Sequence, residues 1–225
     1  MYEQIKNDEH IKNLFVTLAN EEQKADYFLA YHSKVHIMNV VSTVEKVLTS
    51  LGYDEDMIES AKIAAILHDM GVIYGKEGHA RKSYEMAKQY FEDNNIDTGN
   101  NDMILDAILH HSNGFERNNP IASALIFADK IDIKKDRIAR DGYNDIGMRQ
   151  LQYIEDIDIF IDKQKKELMV NFILDDKANK KELEGFYFIE KVFKAIEGFA
   201  AEHNLIGTVL YNNESWCLEK PETRF

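Results

Sequence analysis

Apolar residues recur at three- and four-residue steps through most of the first 131 positions, and this period constrains the chain to be mainly helical. From Lys34 to Leu51 the row is Val40, Val41, Val44, Val47, Leu48 and Leu51, with Gly52 placed to stop the helix. Asp54 is expected to cap a second helix running through MIESAKIAAILHD to Gly71, and His79 to Phe91 forms a third. Asn101 is expected to cap a fourth over DMILDAILHH, stopping near Asn113-Gly114. Asn119-Pro120 sets a capping residue before a proline at the first helical position and opens a fifth, IASALIFADKID. A helix near residues 3–19 and a short one from Ala25 to Tyr31 precede these. Only two prolines interrupt the 225 residues, so a mainly all-α bundle with short connections is expected.

Beyond Gly142 the pattern changes. Ile146, Leu151, Ile154, Ile157 and Ile161 make a helical stripe over residues 145–166, whereas ELMVNFIL alternates, with Leu168, Val170, Phe172 and Leu174 on one side, as a strand does. A helix from about Lys181 to His203 and a second strand, LIGTVLY, follow. The expected organisation is a helical core over residues 1–142 and an extension over 143–225 that packs on it and carries a small two-stranded β addition.

The formal charge of −13 argues against a nucleic-acid binder, since affinity for phosphate backbones comes from clustered Lys and Arg. It does not exclude small phosphorylated ligands, because bound cations dominate the field of their own pocket. The single cysteine, Cys217, rules out an internal disulfide framework. No run of 18 apolar residues and no signal-like amino terminus occurs, so a cytoplasmic protein without membrane association is expected.

The chemistry-bearing residues come in the order His36, His68-Asp69, His79, His110-His111, Asp129. Each extends an inward-facing helical row: His36 leads Val40 and Val44, His68 follows Ala61 and Ala64, and Asp69 follows Ala65 and Ile66. His79 leads Ser83 and Ala87, His111 follows Ile104 and Ala107, and Asp129 follows Ala122 and Leu125. One buried histidine can be satisfied by a carbonyl. Several, together with two carboxylates, converge more economically on cations than on one another. His10, His32 and His203 lack such context and are expected at the surface.

ILHDMGV, preceded by His36 and followed by GHARKSYEMA, AILHHSNG and ALIFADKID, resembles the HD-domain metal-dependent phosphohydrolases over about residues 30–140. The additional His79 and His111 match dinuclear members, and the wording is nearest to the HD hydrolases that split diadenosine tetraphosphate. That resemblance implies one metal on His36, His68, Asp69 and Asp129, and a second on His79, His111 and a bridging Asp69. It favours His111 over His110 as ligand and leaves His110 to support the ligands from outside or to meet the substrate. The ions implied are Fe or Mn, with Zn, Ni, Co or Mg as alternatives. A hydroxide bridging them would attack a phosphoester or phosphoanhydride of a nucleotide.

Asp69, His110, Lys76 and Lys130 are the expected catalytic residues, and Arg81, Lys130 and Arg137 the expected phosphate-binding cations. Many relatives carry Lys where this chain has Val72, so a catalytically weak nucleotide-binding module is the competing expectation. The expected partner is a small phosphorylated molecule, and a second copy of the chain in a homodimer is compatible with the sequence.

Overall fold

The computed structural model describes residues 1–24, 29–112 and 119–218. The Asn113-Gly114 helix stop and the first four residues of the expected Ala25–Tyr31 helix lie outside them. Within the described remainder of that segment the chain is extended: Ala30 forms an antiparallel bridge with Ile138, and the Tyr31 amide donates to the Arg137 carbonyl at 2.8 Å.

The predicted first helix is two helices, α1 (Tyr2–Asn7) and α2 (Glu9–Lys24). They divide at Asp8, whose Oδ1 accepts from the amides of His10 and Ile11 and so starts α2. Helix α3 (Lys34–Leu51) ends on Gly52 at φ 79°, the left-handed stop expected of glycine. Helix α4 (Glu55–Leu67) is capped by Asp54, which accepts from the Met57 amide at 2.8 Å. Helix α5 spans His79–Asp93 and α6 spans Asn101–His110. The capping position of α6 is Asn100, and Asn101 instead ties down the preceding turn by accepting from the Thr98 amide. In α7 (Pro120–Ile131) Asn119 accepts from the amides of Ile121 and Ala122.

Every residue from Ile121 to Ile131 is buried, so α7 is the central helix. It packs against α3, α4 and α6, and against α9 (Ile189–Glu202) of the carboxy-terminal third, where Phe127 stacks on Phe199 with centroids 4.5 Å apart. This central position buries Asp129 and Lys130, residues that would otherwise sit in water.

The carboxy-terminal third departs from expectation in three places. Residues 148–153 form a 3-10 turn, and Ile154–Asp162 is strand β1 rather than helix. The spacing of Ile154, Ile157 and Ile161 imitates a helical stripe, but Ile157, Ile159 and Ile161 also alternate with Asp156, Asp158 and Phe160, which are exposed. The β-branched content and pairing with β2 (Glu167–Leu174) decide for the strand. Helix α8 (Lys180–Glu184) is separate from α9. Strand β3 (Ile206–Tyr211) runs parallel to β2, and β4 (Glu214–Ser215) returns through Asn212 and Asn213, both at positive φ. The addition is therefore a four-stranded sheet, β1-β2-β3-β4, in a mostly helical protein. Among the described residues no helix is long and apolar enough to cross a membrane.

Candidate metal centre

Five elements deliver side chains to one point. His36 lies in the first turn of α3, His68 follows the last residue of α4, His79 opens α5, His111 follows α6, and Asp129 is in α7. Asp69 leaves helical geometry (φ −107°, ψ 9°) as the chain enters the 3-10 turn Met70–Tyr74, which brings its carboxylate onto the same centre as its neighbour His68. His36, His68, Asp69 and His111 are each no more than 1% exposed.

The two Asp69 oxygens face different histidines. Oδ2 lies 3.2 Å from His68 Nε2 and 3.6 Å from His36 Nε2, while Oδ1 lies 3.4 Å from both His79 Nε2 and His111 Nε2. Asp129 Oδ1 lies 3.3 Å from His36 Nε2 and 4.0 Å from His68 Nε2. Each ring is oriented through its other nitrogen. His68 Nδ1 faces the Ala65 carbonyl at 2.7 Å, His79 Nδ1 the Lys76 carbonyl at 2.8 Å, and His111 Nδ1 the Ile108 carbonyl at 2.8 Å. His36 Nδ1 donates to Asp132 Oδ2 at 2.7 Å, and Asn39 Nδ2 donates to the other Asp132 oxygen at 3.1 Å.

A carbonyl or carboxylate only accepts, so these contacts put the proton on Nδ1 and leave an unshared pair on each Nε2. Four lone pairs then meet carboxylate oxygens, and the Nε2 atoms of His79 and His111 stand 3.0 Å apart with no proton between them. His36 Nε2, His68 Nε2 and both Asp69 oxygens are buried without a hydrogen-bond partner. Such an arrangement is costly unless positive charge enters it.

Electrostatics agree. Burial would raise Asp69, but the surrounding histidines, His68 first and then His32 and His111, together outweigh it and hold the carboxyl well below the usual range. At Asp129 burial is likewise outweighed, chiefly by Lys130, whose Nζ is 2.5 Å from Oδ2. Burial would lower His68, yet the neighbouring carboxylates, Asp69 foremost, outweigh it and raise this ring. Burial lowers His111.

The donor set fits cations. His36, His68 and Asp69 form one group able to hold a metal ion, and Asp69, His79 and His111 form another, with ligand atoms within 4.8 Å in each. Imidazole with carboxylate is chemistry suited to first-row divalent ions. Asp132 orients His36 in the manner of an outer-shell carboxylate. Asp132→Ala is expected to weaken metal binding about 10–100-fold, read as an apparent Kd in a metal titration.

Of the other expected site residues, Lys76, Lys130 and Arg137 line a cavity of about 200 Å3 beside the cluster. His110 is turned to Asp106, with Nε2 3.6 Å from Oδ1, and Arg81 is exposed and paired with Glu85, so the structure brings neither to the cavity lining.

Sequence reasoning missed His32. It is buried beside the cluster, in contact with Glu22, its ring 6.1 Å from that of His79 and its pKa pushed down to about 4 by burial. Its i,i+4 relation to His36 was the available signal, hidden because His32 lies just before the α3 cap, Ser33. His203 is also partly buried, its ring 4.5 Å from that of Phe199, whereas His10 is exposed as expected.

Gly71 sets the approach of α5. A Cβ there would lie 2.4 Å from the His79 carbonyl oxygen and 2.6 Å from the Ser83 amide, both backbone atoms. Gly71→Ala is expected to cost about 1–3 kcal/mol of overpacking and to displace His79. Thermal melts with and without added metal check both effects.

No curated protein matches the chain. The HD domain family model matches residues 35–134, a little under half of the chain and the stretch that contains all six clustered side chains.

Proposed function

We propose that the protein is a metal-dependent phosphohydrolase that cleaves a phosphoester or phosphoanhydride bond of a nucleotide-like substrate and uses two divalent cations, iron or manganese. The observation that carries this reading is the convergence of imidazole nitrogens on the two oxygens of Asp69: His36 and His68 on the Oδ2 side, where Asp129 Oδ1 faces both rings, and His79 and His111 on the Oδ1 side. Cations held there supply Lewis acidity, which acidifies water and polarises phosphoryl oxygens.

The chain's own residues do the rest. Asp69 presents one oxygen to each group and sets their separation. Lys130 holds Asp129 by its Oδ2, which leaves Oδ1 facing His36 and His68. Lys76 and Arg137 lie on the cavity wall, where positive charge would bind the substrate phosphate and meet the charge that grows on it in the transition state. His110, paired with Asp106, is left out of this scheme. The test is a panel of nucleotides offered to Mn- or Fe-loaded protein. Release of phosphate or a mononucleotide from at least one member is expected, and metal-loaded protein that turns over none contradicts the reading.

A further inference from the structure

The cavity beside the metal centre has a second wall that lies outside residues 35–134. The turn between α8 and α9 contributes Phe186, Tyr187 and Phe188 to the lining. Phe186 is buried and anchors the turn, while Tyr187 stays 56% exposed at the cavity. The Tyr187 ring stands edge-on to Phe186 at 5.0 Å and to Phe188 at 6.2 Å. An aromatic left this open beside a cavity lined by cations is placed to offer its face to a ligand.

The wall is built in place rather than loosely draped. Gly147, at φ 89°, lets the chain pass so close that a Cβ would lie 2.7 Å from the Phe186 backbone nitrogen and Cα. Arg149 grips Glu182 of α8 through two contacts, 2.6 Å from Nε and 3.0 Å from Nη2. Cations also border it: Lys191 Nζ is 5.3 Å and Lys130 Nζ 5.8 Å from the Phe188 ring centroid. The lining thus combines the carboxylates of Asp69 and Asp129 with Lys, Arg and aromatic side chains, and Lys130 touches both sides, with Nζ 2.5 Å from Asp129 Oδ2 and 5.8 Å from the Phe188 ring centroid.

We propose that the 186–188 turn is a subsite for a planar apolar group carried by the phosphorylated substrate, and that it selects aryl- or base-bearing phosphates over inorganic phosphate and short aliphatic esters. This rests on the phosphohydrolase reading of the metal centre and adds a role for the carboxy-terminal third. Tyr187 and Phe188 supply the faces on which the planar group stacks. Lys130 then lies between that group and the metal centre, where the phosphate is held.

The test uses the Mn-loaded 225-residue chain and two phosphonates that cannot be hydrolysed, phenylphosphonate and methylphosphonate, with Kd measured by titration calorimetry. The phenyl compound is expected to bind at least about tenfold tighter. In Tyr187→Ala the ratio of the two Kd values should fall below about twofold, and in Tyr187→Phe, which keeps the ring, it should persist. Equal affinities in the wild type, or a ratio unchanged in both Tyr187→Ala and Phe188→Ala, overturn the subsite and leave the metal-centre reading standing. Failure of both phosphonates to bind overturns the two together. Circular dichroism of Tyr187→Ala, an exposed position, separates loss of the subsite from loss of fold.

Discussion

Asp69→Asn is expected to abolish turnover and strip the bound metal while leaving the fold intact. Changing an outer-shell partner of a metal ligand costs about 10–100-fold, and Asp69 offers an oxygen to both donor groups, so activity should fall by more than about 100-fold. The stability of the metal-free protein should move the other way. In wild type both Asp69 oxygens are buried without a hydrogen-bond partner, and the amide removes a buried charge while offering N–H groups to the unshared pairs around it. Metal-free Asp69→Asn should therefore melt no lower than metal-free wild type. Activity assays, elemental analysis and thermal melts of the two proteins check this together. A variant that retains turnover, or one that loses metal because it has unfolded, contradicts the account.

Chelation is expected to produce the largest change in stability. An ion present at about 1,000 times its Kd stabilises the fold by about 4 kcal/mol, and in a chain of this size each kcal/mol moves the melting temperature by about 2–4 °C. Stripping one such ion should lower the melting temperature by roughly 8–16 °C, recovered on adding Mn or Fe. The sign follows from the centre's composition: without cations, carboxylate oxygens and imidazole lone pairs face one another with little to offset them. An unchanged melting temperature in chelator would mean that the cluster is satisfied without ions.

The helical core and the cluster were legible because they rest on short-range rules. Asp54 and Asn119 cap the helices they were expected to cap, Gly52 stops α3, and each clustered His or Asp extends a row of apolar side chains. What failed depended on tertiary partners. Strand β1 carries both a three-to-four spacing and an alternation of isoleucines, and only its pairing with β2 selects between them. His32 is buried because the strap at Ala30 runs along Ile138, a contact more than 100 residues distant in sequence. His110 pairs with Asp106 one turn back on α6, a local contact, but which of His110 and His111 turns inward depends on the face of α6 that meets α4 and α7, and a His-His pair does not encode that choice. The aromatic wall stayed hidden for a similar reason, since Phe186, Tyr187 and Phe188 reach the cavity only once Gly147 lets their turn approach.

Metal stoichiometry with anomalous scattering tests the central claim most directly. Protein loaded with Mn or Fe and washed free of excess should hold two ions per chain. One is expected among His36, His68, Asp69 and Asp129, and the other among Asp69, His79 and His111. A washed protein with no bound ion, or ions located away from Asp69, would contradict the account.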